Sequence, residues 1–413
     1  MAQSFVIIGD GVAGSTAAET IREVDADAAV TVITDEGEPL YNRILTKEFA
    51  KGKLPEAPLA IHDEQWYEDR DIDLQLDTLV TSVDPDARTV HTHDGGTLEY
   101  DQLLVATGGT PAQLPVPGSD ADGIHHFWTF EDARHIAEQA AEADRGVIIG
   151  AGLLGIDFAA ICGSQGVEAD YLMRGNRWWR YGLSLEGAEI VHEGMREQGV
   201  TPVTEAGVDS FEVDDDGQVT AAIDSNGDRH PADFVGIAIG LNFNTEFLHG
   251  TTVETDNGIV VDEHMQTSEP GIYAAGDITK FHDPILDEQN QNGSWGSAKE
   301  QGSVAGRNMV SGEAAETFRW VPSYSITHFE FPFLSFGHPT QGDAECERQF
   351  DETTWRRLTF KDGKLIGGVL IGDLAPQSAY KTLIREERHV VDQQDALLAE
   401  NVDLDALAPE AEQ

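Results

Sequence analysis

Positive charge is scarce in this chain: 26 Lys and Arg stand against 75 Asp and Glu in 413 residues, a formal net charge of −49. The acids are spread along the whole length rather than gathered in a tail, so they describe a surface. Self-repulsion of that size strains a compact fold in dilute salt, whereas in molar salt the screening length falls to about 3 Å and the strain largely disappears. The composition therefore points to an organism with a salty cytoplasm, as in haloarchaea, with an ordinary acidic mesophilic protein as the plainer alternative. No basic stripe is present to release counterions from phosphates, which argues against nucleic acid as a partner. Cysteine is nearly absent as well. Cys162 and Cys346 are far apart and outside any Cys-x-x-Cys spacing, which leaves iron-sulfur clusters, structural zinc and a local redox pair unsupported. No apolar run approaches 18 residues, so no membrane span is expected. The opening MAQSFVIIGDG starts a strand within five residues, leaving no room for a signal peptide and implying a cytoplasmic protein.

What is present is glycine in two ordered settings. FVIIGDGVAGSTAAETIREV is an apolar strand, a Gly9-x-Gly11-x-x-Gly14 turn and a helix. Such glycines permit a tight turn and close approach of backbone to a pyrophosphate, which the helix N-terminus holds. The next strand, AAVTVIT, ends at Asp35 and Glu36, where a carboxylate can accept hydrogen bonds from a ribose. The pattern recurs in RGVIIGAGLLGIDFAAICGSQG, with Gly150, Gly152 and Gly155, so one chain carries two dinucleotide sites. In the second, the position expected to hold the ribose-binding acid is Met173, followed by Arg174 and Arg177. An Arg fork can bind a 2′-phosphate bidentately, which suggests NADPH over NADH; alternatively these arginines are ion-paired surface residues.

With both turns in place, the sequence resembles the FAD-dependent pyridine nucleotide-disulfide oxidoreductase superfamily, in its cysteine-free branch of rubredoxin and ferredoxin reductases, NADH oxidases and nitrite reductase flavoproteins. YDQLLVATGGTP, with Ala106, Thr107 and Gly108, is similar to the segment closing the first FAD stretch. ADFVGIAIG resembles the returning strand of the nucleotide domain. GIYAAGDI, with Gly276 and Asp277, is similar to the second FAD motif, in which Asp277 would meet the ribityl chain. WGSAKEQGSVAGRNM, starting at Trp295, resembles the helix beside the flavin pyrimidine. The stretch PLYNRILTK resembles a Tyr-x-Arg-x-x-x-(Ser/Thr)-Lys segment. The resemblance makes Lys47 the cation near flavin N5, Asp157 its partner in place of the usual Glu, and Arg43 a residue near the FAD phosphates. Disulfide reductases of the superfamily carry a Cys pair or a single Cys after the first βαβ unit, and neither is present here. Cys162 is expected to pack in the second fingerprint helix, and electrons leaving the flavin lack a thiol relay.

The resemblance implies an α/β protein with two Rossmann-like domains and a C-terminal α+β interface domain. The expected boundaries are a discontinuous FAD domain over 1–112 and 240–316, an NAD(P) domain over 113–239 and the interface domain over 317–413. In the last, TWRRLTF, a KDGK turn and LIGGVLIGD predict an antiparallel hairpin, followed by a helix over KTLIREERHVVDQQDALLAE. Phe329, Phe331, Phe333 and Phe336 are read as a core face, a dimer seam or a lid, and a homodimer is compatible. His328 is a candidate redox-site residue. His91, His93, His125 and His126 are read as structural rather than as metal ligands, and no metal is expected. The implied function is FAD-dependent oxidation of NADPH or NADH. Electrons then pass to a small iron-sulfur or rubredoxin-type protein, with oxygen, a quinone or an associated reductase subunit also compatible. A different reading follows from MRGNRWWRYGLS: Trp178 and Trp179 block the nucleotide or bind another protein, and the chain is a flavin-bearing subunit.

Overall fold

The computed structural model describes residues 2–312, 316–327, 331–404 and 407. Two units emerge, one of Met1–Asn42, Ala57–Thr110 and Asn242–Pro322, the other of Arg43–Glu56, Pro111–Leu241 and Ser323–Gln413. The first is organised by a five-stranded parallel sheet in the order Ile272–Ala274, Gln102–Val105, Ser4–Ile8, Ala29–Ile33, Ile72–Gln75. Its central strands are runs of Val, Ile and Leu because a parallel sheet buries both faces. Against it pack the helices Val12–Val24 and Trp295–Ser311, which meet through bare backbone: a Cβ on Gly302 would stand 2.1 Å from the Ala13 carbonyl oxygen. The register aligns Ile8 with Ile33 and Val105, and Val105 with Ala274. All four strands therefore end together, and the segments that follow them share one edge of the sheet.

The second unit repeats the plan. Its parallel sheet runs Val200–Thr204, Glu168–Met173, Arg145–Ile149, Phe234–Ile237, Ile124–His126. It also contains an antiparallel sheet ordered Ser323–Ile326, Phe333–Gly337, Lys364–Ile371, Trp355–Lys361, Ala344–Gln349. The expected hairpin is present: Lys361 pairs with Lys364, and Asp362 and Gly363 have φ of +49° and +76°, as a type I′ turn requires. The expected helix over 381–400 is not continuous. The helix Gln377–Arg385 ends before Glu387, whose φ is +52°, and a 3-10 turn, Val391–Gln393, and a short helix, Gln394–Leu397, follow. Arg385, Glu386 and Glu387 offer nothing to bury, so the chain turns to place Val390 and Leu397 inside instead.

Two further expectations bear on described residues, and a third does not. The stretch Arg43–Glu56, read as part of the FAD segment 1–112, groups with the second unit. Its Ala50 is buried among Ile156, Phe158 and Ile161, Phe49 packs edge-on against Phe130, and the Gln165 amide donates to the Ala50 carbonyl. Phe331, Phe333 and Phe336 are buried, as core residues are. His328 and Phe329 lie outside the described residues.

Candidate functional site: two glycine turns and a lysine–aspartate pair

In the first unit the shared sheet edge gathers Gly9–Gly14, Asp35, Glu36, Ala106–Gly108 and Gly276–Asp277, segments as far as 268 residues apart in sequence. The three fingerprint glycines have three different physical reasons. Gly9 has φ +106° and a Cβ there would lie 2.4 Å from the Ala106 carbonyl oxygen; one on Gly14 would lie 1.9 Å from that of Gly9. A Cβ on Gly11 would meet nothing within 4 Å. Gly9 and Gly14 are thus required by the turn itself, whereas Gly11 keeps open a space over the helix start. Gly11 is also the N-cap and supplies no side-chain cap, so the first N–H groups of Val12–Val24 are available to an anion. Open space, uncapped donors and a nearby carboxylate fit the diphosphate and ribose of a dinucleotide. Glu36 rather than Asp35 is the fixed acid: it accepts a 2.6 Å hydrogen bond from Tyr41, while Asp35 is exposed.

Sequence reading missed two supports of this edge. Gln301, fully buried, accepts from the Gly276 N–H and the Thr279 hydroxyl at 2.8 Å each, locking the second FAD-like motif to the helix that begins at Trp295. Asp10, between the first two glycines, is buried and accepts from the Tyr67 phenol at 2.8 Å. Ser15 Oγ stands 3.3 Å from that phenol and 3.1 Å from His62 Nδ1, and His62 stacks at 3.5 Å on Trp66. Burial, then the Asp10 charge, raises the Tyr67 phenol; burial, then Arg70, lowers His62 to about 4. A hydrophilic Asp amid glycines was the available signal, but its partner lies 57 residues away.

The second turn repeats the first. Gly150 has φ +111° with the Ala238 carbonyl 2.1 Å from its notional Cβ, Gly155 has the Tyr171 hydroxyl at 2.2 Å, and Gly152 faces open space. The helix Gly155–Gln165 has no side-chain cap at its start. Four successive carbonyls of this turn are held from outside it. Gly150 accepts from Tyr171 Oη at 2.6 Å, Ala151 from the Trp179 N–H at 3.0 Å, Gly152 from Trp178 Nε1 at 3.3 Å and Leu153 from Tyr324 Oη at 3.1 Å. With its carbonyls so engaged, the turn is pre-organised. Trp178 is fully buried, edge-on to Phe333 at 5.6 Å, so it supports the turn from beneath instead of blocking it. Met173 is buried at the strand end. Arg177 donates to the carbonyls of Leu183 and Arg180, whereas Arg174 is exposed.

Lys47 and Asp157 do meet. Their Nζ–Oδ1 distance is 3.5 Å, with side chains 14% and 10% exposed, so the shorter acid reaches its partner. Lys47 lies on the short helix Thr46–Ala50 and Asp157 in the first turn of Gly155–Gln165. Arg43 donates to the Trp128 carbonyl at 2.7 Å and lies over its ring. Burial raises the Cys162 thiol, and burial followed by the Arg348 and Glu345 charges sets that of Cys346; both rise to about 12. Among the described residues no group of three His, Cys, Asp or Glu side chains is arranged to hold a metal, and no helix is long and apolar enough to cross a membrane.

Comparison with known proteins agrees with this geometry. Residues 3–302 match the family Pyridine nucleotide-disulphide oxidoreductase, and residues 322–388 match the Rubredoxin NAD+ reductase C-terminal domain. The assimilatory nitrate reductase electron transfer subunit of Bacillus subtilis is 26% identical over 94% of this chain and 50% of its own length. Putidaredoxin reductase of Pseudomonas putida is 33% identical over 78% of each chain. The crystal structure of the covalent putidaredoxin reductase–putidaredoxin complex superposes with a TM-score of 0.91 at 27% identity, covering 98% of both chains. The chain spans about half the length of the first curated relatives it matches.

Proposed function

Because the chain belongs to the pyridine nucleotide-disulphide oxidoreductase family, we propose that it is an FAD-dependent NAD(P)H oxidoreductase that delivers electrons to a small iron-sulfur or rubredoxin-type protein. The observation that carries this is the duplicate turn: two glycine cradles of the same construction, each opening an uncapped helix, in one chain. FAD, when bound, would accept a hydride from the nicotinamide and release the electrons to the acceptor. The first turn and Glu36 hold the adenosine diphosphate of the flavin cofactor, and Asp277 its ribityl chain. Residues 1–42, 57–110 and 242–322 make that domain. The second turn, within 113–239, holds the nicotinamide nucleotide, with Arg174 free to face a 2′-phosphate. Lys47, oriented by Asp157, supplies positive charge where negative charge grows on the reduced ring. Burial raises both thiols, Cys162 being fully buried and Cys346 half-buried, which disfavours a thiolate relay and favours a separate acceptor. Putidaredoxin reductase, a relative solved in complex with its protein partner, supports that class of acceptor. The acidity of the surface supports work in a salty cytoplasm.

Anaerobic titration of the yellow protein in molar salt with NADPH and with NADH, following flavin bleaching, tests this. Bleaching by NADPH in preference to NADH is expected, with the preference reduced in Arg174→Ala. If neither nucleotide reduces a flavin that dithionite bleaches readily, the proposal fails. The chain is then a flavin-bearing subunit, a reading favoured by its match to half of an electron transfer subunit. Purification that always yields a second polypeptide would support that reading.

A further inference from the structure

The strand Ser323–Ile326 lies at the edge of the antiparallel sheet, and its alternation exposes Ser323 and Ser325 while turning Tyr324 and Ile326 inward. Three sequence-distant pieces of the second unit converge on that tyrosine. Its hydroxyl donates to the Leu153 carbonyl at 3.1 Å, inside the second glycine turn. The charge of the Asp157 carboxylate, itself 3.5 Å from Lys47 Nζ, acts on the same phenol, and Lys47 Nζ lies 5.8 Å from the ring centroid. Burial, then the charge of Asp157, raises the phenol well above its usual range, which keeps the hydroxyl a donor.

We infer that Tyr324 is a positioning residue for the proposed reaction: its one phenolic proton is shared between the Leu153 carbonyl and the Asp157 carboxylate, which steadies the nucleotide turn and, through Asp157, the Lys47 ammonium. This rests on the reading of Lys47 as the flavin-side cation. A phenol has one proton and two acceptors here, so the turn and the ion pair compete for one donor and are coupled through it. Asp157 is 7% exposed, so little water replaces the phenol if it is removed. The C-terminal sheet is thereby part of the site and more than a cover, because it carries a hydroxyl that neither nucleotide-binding segment supplies.

The test is a double-mutant cycle of Tyr324→Phe and Lys47→Met on the flavin-loaded protein in molar salt, with Tyr324→Phe in an Asp157→Asn background as a second cycle. Phenylalanine keeps the ring and its packing and removes only the hydroxyl. Unfolding by denaturant, the flavin midpoint potential and the rate of flavin reduction are read for each. The expected result is reduction slowed about tenfold by Tyr324→Phe, the size of one lost hydrogen bond to a charged group, with the potential shifted negative. Neither effect should persist once Lys47 or Asp157 is already replaced. A Tyr324→Phe effect of the same size in every background overturns the inference, and leaves the reading of Lys47 standing if Lys47→Met alone moves the potential. Coupling in unfolding with a potential unmoved by Lys47→Met refutes the flavin-side role of Lys47, and with it the reaction role of Tyr324.

Discussion

Gly11 and Gly14 stand three residues apart in one turn, and the same substitution should damage them in opposite ways. Gly11 has φ −70° and ψ 176°, a conformation any residue adopts, and its added Cβ would meet nothing within 4 Å. Gly11→Ala should therefore leave the flavin-free protein folded, its stability changed by less than about 1 kcal/mol, because the lower entropy of the unfolded chain is offset by the poorer fit of Ala at an N-cap. Its methyl would occupy the space left for a pyrophosphate, so flavin retention should collapse. Gly14→Ala would drive its methyl to 1.9 Å from the Gly9 carbonyl oxygen and 3.1 Å from Ile7. Backbone cannot yield as a flexible side chain can, so overpacking should cost about 1–3 kcal/mol or more even without flavin. Denaturant unfolding of the flavin-free proteins in molar salt measures the first quantity, and flavin absorbance after gel filtration measures the second. A Gly11→Ala protein that keeps its flavin with ordinary affinity would refute the pyrophosphate cradle. Equal destabilisation of both flavin-free variants would refute the steric distinction between them.

Acid should weaken the second unit through His125, whose ring is lowered to about 4 by burial, with His135 as the next cause. The folded ring stays neutral while the unfolded one protonates near 6.5, so below that pH protons bind preferentially to the unfolded chain. Its contribution to stability is lost as pH falls from about 6.5 to about 4. In denaturant unfolding across that range, His125→Gln should be less sensitive to acid than the parent; parallel curves would show that His125 titrates normally. The thiols make a second test. At pH 8 buried Cys162 should react with a thiol reagent only after unfolding, while half-buried Cys346 reacts slowly in the native protein because burial raises its thiol. Rapid reaction of Cys162 in the folded protein would reopen a thiol relay.

Much of this site is local in origin, and local features are legible. A β-branched strand, a glycine turn and an alanine-rich helix occupy contiguous residues, so both nucleotide turns and the residues after each strand could be placed from the sequence. The C-terminal hairpin was readable for the same reason, since Asp-Gly suits two successive positive φ values. Periodicity failed where burial is irregular: the run ending in Arg385-Glu386-Glu387 looks helical by composition, yet the chain bends to bury Val390 and Leu397. Arg174 and Arg177 look alike in sequence, but the backbone of the following loop engages only Arg177.

The sequence by itself determined the two dinucleotide turns and the absence of a cysteine pair after the first of them. Each is carried by residues whose chemistry or conformational freedom is fixed at their own position. Only the tertiary structure decided which groups hold those turns in place. Tyr67 reaches Asp10, Gln301 locks Gly276, and Tyr171, Trp178 and Tyr324 hold the carbonyls of the second turn. A hydrogen bond between residues up to 171 apart leaves no trace in either local stretch, because the donor's side chain is chosen by where packing brings the chain back.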